Sequence, residues 1–167
     1  MLRIIGLDPG LRITGWGVIE IEGNHLRYVA HGVATSQSGN SLAQRLDQLY
    51  TILSQALDAY QPHEAAVEET FANTNSVSTL KLGMARGVVM FTPAQKGLPV
   101  YEYSANHIKK SVVGAGHASK EQVMHMIRML LPNCGVLTAD GADALAVAIC
   151  HAHHQQTRMI LSKQRIS

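Results

Sequence analysis

Three apolar runs open the chain, spaced as strands. Residues 3–8 read R-I-I-G-L-D, apolar on both faces until the run closes on a carboxylate, Asp8. Pro9-Gly10 then turns the chain. In residues 13–22, Thr14, Trp16 and Val18 alternate with Gly15, Gly17 and Ile19, and Gly23-Asn24 marks a turn into a third strand at 25–35. An antiparallel meander is predicted. The period then lengthens. Leu42, Leu46, Leu49, Leu53 and Leu57 recur at helical spacing behind a capping-box pair, Ser41 and Gln44, and Gln61-Pro62 ends that helix.

From there strands and helices alternate. "EAAVEE" at 64–69 reads as a short strand, and a polar loop, "FANTNS", leads to a helix from about Ser76. Val77, Leu80, Met84, Val88 and Phe91 form its apolar stripe. Gly83 and Gly87, four apart, would let another backbone approach closely, in the core or in a dimer. A fifth strand is predicted at 98–103. Ser104 caps a short helix carrying Lys109 and Lys110, and Ser119 with Gln122 opens another that runs to about Leu131. The last helix is predicted from about Ala139 to His154. The pattern implies an α/β fold: a mixed five-stranded sheet, meander first and parallel strands after, with helices on both faces. One domain is expected over 1–155, followed by a basic tail, 156–167, with Arg158, Lys163 and Arg165.

Composition narrows the class. With 167 residues, 46% hydrophobic and 16% charged, the chain carries enough apolar surface for one packed core and is not a disordered segment. No apolar run reaches the roughly 20 residues that span a membrane. The first residues enter a strand without a signal-peptide pattern, so a cytoplasmic location is expected. Cys134 and Cys150 form no C-x-x-C pair and are expected to be reduced core thiols. Net charge is only +2, but it is unevenly spread. Residues 70–139 hold seven basic and two acidic side chains, net +5, and the remainder is net −3. A basic middle between acidic flanks is either a polyanion-binding surface or a set of solvated helix faces.

The acids carry the chemistry. Ligand sites in such folds lie beyond the carboxyl ends of strands. Asp8 stands at one such end, and Glu68 or Glu69 at another. Asp140 and Asp143, three apart at the start of the last helix, share a face. Each also has an ordinary explanation, as a turn residue, a helix cap or a solvated strand end. Together they supply four acids able to converge. Converging carboxylates repel, and divalent cations remove the objection. Oxygen ligands suit Mg²⁺ or Mn²⁺, and two ions about 4 Å apart can support in-line displacement at phosphorus.

"GLDPGLRITGWGVI", "AVEETF", "LKLGMARG", "VVGAGHASKEQV" and "ADGADALAVAI" resemble, in order and spacing, the RuvC family of Holliday-junction resolvases. The resemblance runs from about Leu2 to His154. It implies an RNase H-like fold, a homodimer, and symmetric nicking of a four-way DNA junction with divalent metal, in recombination and repair. It places the catalytic and metal-binding carboxylates at Asp8, Glu68, Asp140 and Asp143. Glu68 matches the third position of the family's A-I/V-E motif, which selects it over Glu69. Phe71 matches an aromatic expected to stack on a junction base. Lys109 and Lys120 match lysines that approach the scissile phosphate. Lys81 and Arg86 fall in the matching "LKLGMARG" segment and are expected to contact backbone phosphates or the dimer partner. Lys110 is read as a solvated neighbour. A RuvA–RuvB branch-migration complex is a partner implied by the resemblance alone.

Three rivals stand beside this reading. Actin-like phosphotransferases also open on an Asp-x-Gly hairpin, but they need two related halves, and this length provides one. A non-catalytic junction-binding module would leave four acids near DNA without a role. An RNase acting on structured RNA shares the chemistry but not the basic segments at 104–128. Nine histidines are present; His151, His153 and His154 read as core or surface residues rather than ligands, and His117 is a candidate DNA contact.

Overall fold

A computed structural model describes residues 1–70 and 75–164, with side chains described up to Thr157. Phe71 therefore lies outside the described residues. The predicted meander forms: β1 (Leu2–Asp8), β2 (Ile13–Glu22) and β3 (His25–Thr35) pair antiparallel in turn. β4 (Glu64–Glu68) adds parallel to the other side of β1, and β5 (Val100–Tyr103) adds parallel to β4. The order is β3-β2-β1-β4-β5, which puts β1, first in sequence, at the centre.

Among the described residues five helices cover the sheet: α1 (Leu42–Tyr60), α2 (Ser76–Gln95), α3 (Ala105–Val113), α4 (Lys120–Leu130) and α5 (Ala139–Gln164). Strand alternation divides the core in two. Ile5, Leu7, Val18, Ala65 and Val67 point to one face, under α1 and α2. Ile4, Ile19, Ile21 and Ala66 point to the other, under α3, α4 and α5. Both capping boxes form, Ser41 with Gln44 and Ser119 with Gln122. Cys134 and Cys150 are free and buried as expected, and burial pushes the Cys150 thiol up to about 11. Among the described residues no helix is long and apolar enough to cross a membrane.

Two elements depart from the sequence expectation. The last helix runs ten residues past His154, to Gln164, so residues 156–164 continue α5 instead of leaving as a tail. No Gly or Pro interrupts that stretch, and its start is tied to the sheet. Gln155 Nε2 donates to Glu64 Oε2 at 2.8 Å, and Gln156 Nε2 donates to the Gly23 carbonyl at 3.1 Å. In α2, the apolar stripe that signalled a helix meets the core only at half-buried Val88. Ala85, Val89, Thr92 and Pro93 are buried, whereas Val77, Leu80, Met84 and Phe91 are exposed.

Candidate active site

Asp8 ends the central strand. Alternation along β1 sends Ile4, Gly6 and Asp8 toward α5, and Ile5 and Leu7 toward α1 and α2. The turn behind Asp8 is clamped from inside. Fully buried Thr14 accepts a hydrogen bond from the Gly10 N–H at 3.2 Å and donates its hydroxyl proton to the Gly10 carbonyl at 2.7 Å. β4 runs beside β1 with Val67 opposite Leu7, so the next residues, Glu68 and Asp8, come side by side at the carboxyl ends. Glu68 shares the phase of Ala66, facing α5. Glu69 falls on the other phase, and its N–H donates to the Tyr103 carbonyl at 2.9 Å.

The second pair of acids arrives on α5, and glycines let it come close. Gly15 pairs with Asp8 across the meander, and a Cβ there would lie 2.2 Å from the Asp140 carbonyl oxygen. A Cβ on Gly6 would lie 2.1 Å from the Ala144 carbonyl oxygen. The sheet thus presents bare backbone where α5 crosses it. Thr138 Oγ1 accepts from the Gly141 N–H at 3.2 Å and holds the first turn. Asp143 then faces Asp8 and Glu68 across one cleft. Asp140 is half-buried one turn earlier, and its charge bears on both Asp8 and Asp143.

This crowding is expressed in proton affinity. Asp8 is raised from 3.8 to about 7, by burial first and then by the charges of Glu68, Asp143 and Asp140; Lys120 opposes them. Burial, with the Asp143 charge, also raises Glu68, against Lys109 and Lys120. Asp143 is raised by burial and by Asp140, again against the two lysines. Glu20, one strand away, shows the alternative. It is only 5% exposed, yet Arg3 and Arg27 grip its two oxygens, with each guanidinium Nε at 2.9–3.0 Å, and hold its carboxyl below the usual range. Among the described residues no arginine is hydrogen-bonded or ion-paired to Asp8.

The cleft measures about 250 Å³. Asp8, Glu68 and Asp143 form its acidic floor, with Lys109 of α3 and Lys120 of α4 at its rim. Lys120 Nζ lies 3.8 Å from Asp143 Oδ2. Ala105, Ile108, Val123 and Ala146 make an apolar wall. Motif reading did not find this wall, although the amphipathic phase of α3 and α4 carries its signal. Lys81 and Arg86 lie elsewhere, on α2. Lys81 is exposed, and Arg86 pairs with Glu102 of β5 at 3.0 Å, which ties its charge to the sheet edge.

The donor set fits divalent cations. It offers hard carboxylate oxygens, unneutralised by arginine, at the end of a rigid sheet. Among the described residues no group of three or more acids, histidines or cysteines is set to hold an ion by itself. Mg²⁺ takes one or two carboxylates and completes its shell with water and phosphate oxygens.

Comparisons with known proteins agree with this geometry. Residues 4–151 match the family described as crossover junction endodeoxyribonuclease RuvC. The protein of that name from Paramagnetospirillum magneticum is 57% identical over 162 residues, covering 97% of this chain and 98% of its own. That from Brucella anthropi is 53% identical over 165 residues, covering 99% and 95%. Thermus thermophilus RuvC, solved in complex with a Holliday junction substrate, superposes with a TM-score of 0.87 at 30% identity, covering 94% of this chain and 96% of that one. The yeast mitochondrial Holliday junction resolvase, at 13% identity and a TM-score of 0.65, shares the fold. The RNase H-like arrangement implied by the sequence is thus the one found, and the chain belongs to the RuvC family of crossover junction endodeoxyribonucleases.

Proposed function

We propose that this protein resolves four-way DNA junctions by paired, symmetric, metal-dependent nicks. The observation that carries the reading is Asp8: a carboxylate at a buried strand end, raised to about 7 by burial and then by the charges of three other acids. Asp8, Glu68, Asp140 and Asp143 would hold the ions, two per site. Bound divalent metal would neutralise these acids and supply an activated water for attack on phosphorus.

The rest falls to the chain's own side chains. Lys109 and Lys120 position the scissile phosphate at the rim and offset charge on its oxygens. The apolar wall of Ile108 and Val123 excludes bulk water from one side. The P–O3′ bond breaks, leaving a 5′-phosphate and a 3′-hydroxyl. Phe71, three residues after Glu68 in the sequence, supplies a ring to stack on a base.

Two nicks on opposed strands call for two active sites related by a two-fold axis, and the exposed stripe on α2 suits an isologous contact. Gly83 and Gly87 have open space where a Cβ would stand, so a second backbone could approach there. A RuvA–RuvB motor is the upstream partner that family membership supports.

The deciding experiment incubates the purified protein with a labelled synthetic junction, with Mg²⁺ or with chelator, beside a linear duplex. Symmetric nicks in the junction alone, requiring Mg²⁺, are expected. Binding without nicks in any divalent metal, on several junction sequences, would reduce the protein to a junction-binding module.

A further inference from the structure

A second cleft lies apart from the acidic one. It measures about 680 Å³ and lies between α3 and the second half of α5. Four histidines line it, His107, His117, His153 and His154, together with Lys110 and Asn106. No carboxylate does. Every side chain on its walls carries an N–H or O–H donor, Ser111 and Thr157 included. We propose that this cleft is a second DNA site, which grips a backbone phosphate of a junction arm away from the point of cleavage; the proposal rests on the junction-resolving function above.

Its placement supports that assignment. At 3.6 residues per turn, Ala105, Ile108 and Lys109 fall on one face of α3, and Asn106, His107, Lys110 and Ser111 on the opposite one. Adjacent lysines therefore serve different clefts, Lys109 the acidic one and Lys110 the histidine one. The chain beyond α3 repeats the division, with His117 of the loop in one cleft and Lys120, which opens α4, in the other. The two sites are separated by a helix, about 10 Å thick. That is close to the roughly 12 Å width of a DNA major groove, so a duplex strand held at one site brings a second backbone near the other.

The wall is also braced in advance. His107 and His154 meet edge to face with centroids 5.3 Å apart, and Tyr103 packs on each at 5.6 Å. Behind them the Tyr103 hydroxyl contacts His151 Nδ1 at 2.7 Å, and His151 Nε2 contacts Glu64 at 2.7 Å. His153 Nδ1 is 3.2 Å from the Ser111 hydroxyl. Imidazole N–H groups held this way donate to phosphate oxygens with little loss of side-chain freedom.

The test uses full-length Asp8→Asn protein, which removes cleavage from a binding measurement, with and without the added pair Lys110→Gln and His117→Gln. Affinity for a labelled junction and for linear duplex is followed by fluorescence anisotropy across a salt series, with circular dichroism confirming the fold. The paired change is expected to weaken junction binding about tenfold and to flatten the dependence on salt by about one ion. Unchanged affinity and slope overturn the cleft assignment while leaving the function standing. Loss of preference for junction over duplex in the parent overturns the function instead, and the salt slope on duplex still decides the cleft. A parent that binds no DNA overturns both. A Zn²⁺-induced rise in Tm that the paired change removes, with DNA binding unaltered, makes the cleft a metal site and overturns the phosphate assignment.

Discussion

Asp8 and Glu20 are two acids on neighbouring central strands, and their surroundings push them in opposite directions. Arginines pair with Glu20 and make it structural; acids surround Asp8 and leave it expecting a cation. The consequence can be measured in the apo protein. Between 3.8 and about 7 the folded state keeps a proton on Asp8 that the unfolded chain releases. Stability therefore falls as pH rises through that window and is lowest above it. The shift from 3.8 to about 7 corresponds to on the order of 4 kcal/mol at most. In chelator near pH 8, Asp8→Asn should raise Tm by several degrees, with the gain shrinking toward pH 4. A variant no more stable than the parent at high pH would contradict the buried, crowded Asp8. In cutting assays the same variant should keep junction binding and lose nicking entirely. Activity of the parent should fall as pH drops below about 7, because protons then compete with the cation for Asp8. The four acids were legible as candidates because each sits at a strand end or a helix start, and residue resemblance chose Glu68. Register supplies the physical reason: only the even phase of β4 faces α5. The proton affinity of Asp8 was not legible, since it arises from burial and from the charges of groups 60 and more residues away, both set by folding.

At the scale of elements, α5 decides the geometry of the site. Its first turn carries Asp140 and Asp143, and it reaches Asp8 only because β1 and β2 present glycine beneath it. Gly15→Ala would put a methyl group 2.2 Å from the Asp140 carbonyl oxygen, where rigid backbone must retreat. A cost of about 1–3 kcal/mol is expected, with both α5 acids moved relative to Asp8. Cleavage should slow at least tenfold while junction binding persists, since misplacement by about 1 Å carries penalties of that order or larger. Gly39→Ala, where nothing lies within 4 Å, is the control and should leave stability and cleavage unchanged. Equal cleavage by Gly15→Ala and Gly39→Ala would mean that the site tolerates movement of α5. Most elements were readable from period and caps: both capping boxes formed, and the meander closed as its turn residues required. The extra length of α5 was not readable, because the anchors for Gln155 and Gln156 are Glu64 and the Gly23 carbonyl, on the far side of the fold.

For the whole molecule, the informative element is the one whose apolar stripe faces away from the core. Periodicity identified α2 correctly as a helix, but a period says nothing about which body covers the stripe. Within one chain the small residues Ala85 and Thr92 face inward, and Leu80 and Val77 remain about 60% exposed. Leaving several large apolar groups in water forgoes about 1.5–3 kcal/mol apiece, which a second copy would recover by covering them. A two-fold axis beside α2 would make the patch its own complement, and the vacant faces of Gly83 and Gly87 would allow the helices to close on each other. Leu80→Glu places a charge in that contact, repeated by symmetry on the facing copy. Light scattering should find the parent as a dimer and this variant as a monomer with an unaltered melting profile for the isolated chain. A monomer still contains a complete acidic cleft, because Asp8, Glu68, Asp140 and Asp143 all come from one chain. It should therefore lose symmetric paired nicking before it loses all nicking, giving uncoupled single cuts. A parent that is monomeric at the concentrations where it nicks junctions in pairs would refute this assembly, and another face would have to supply the second active site.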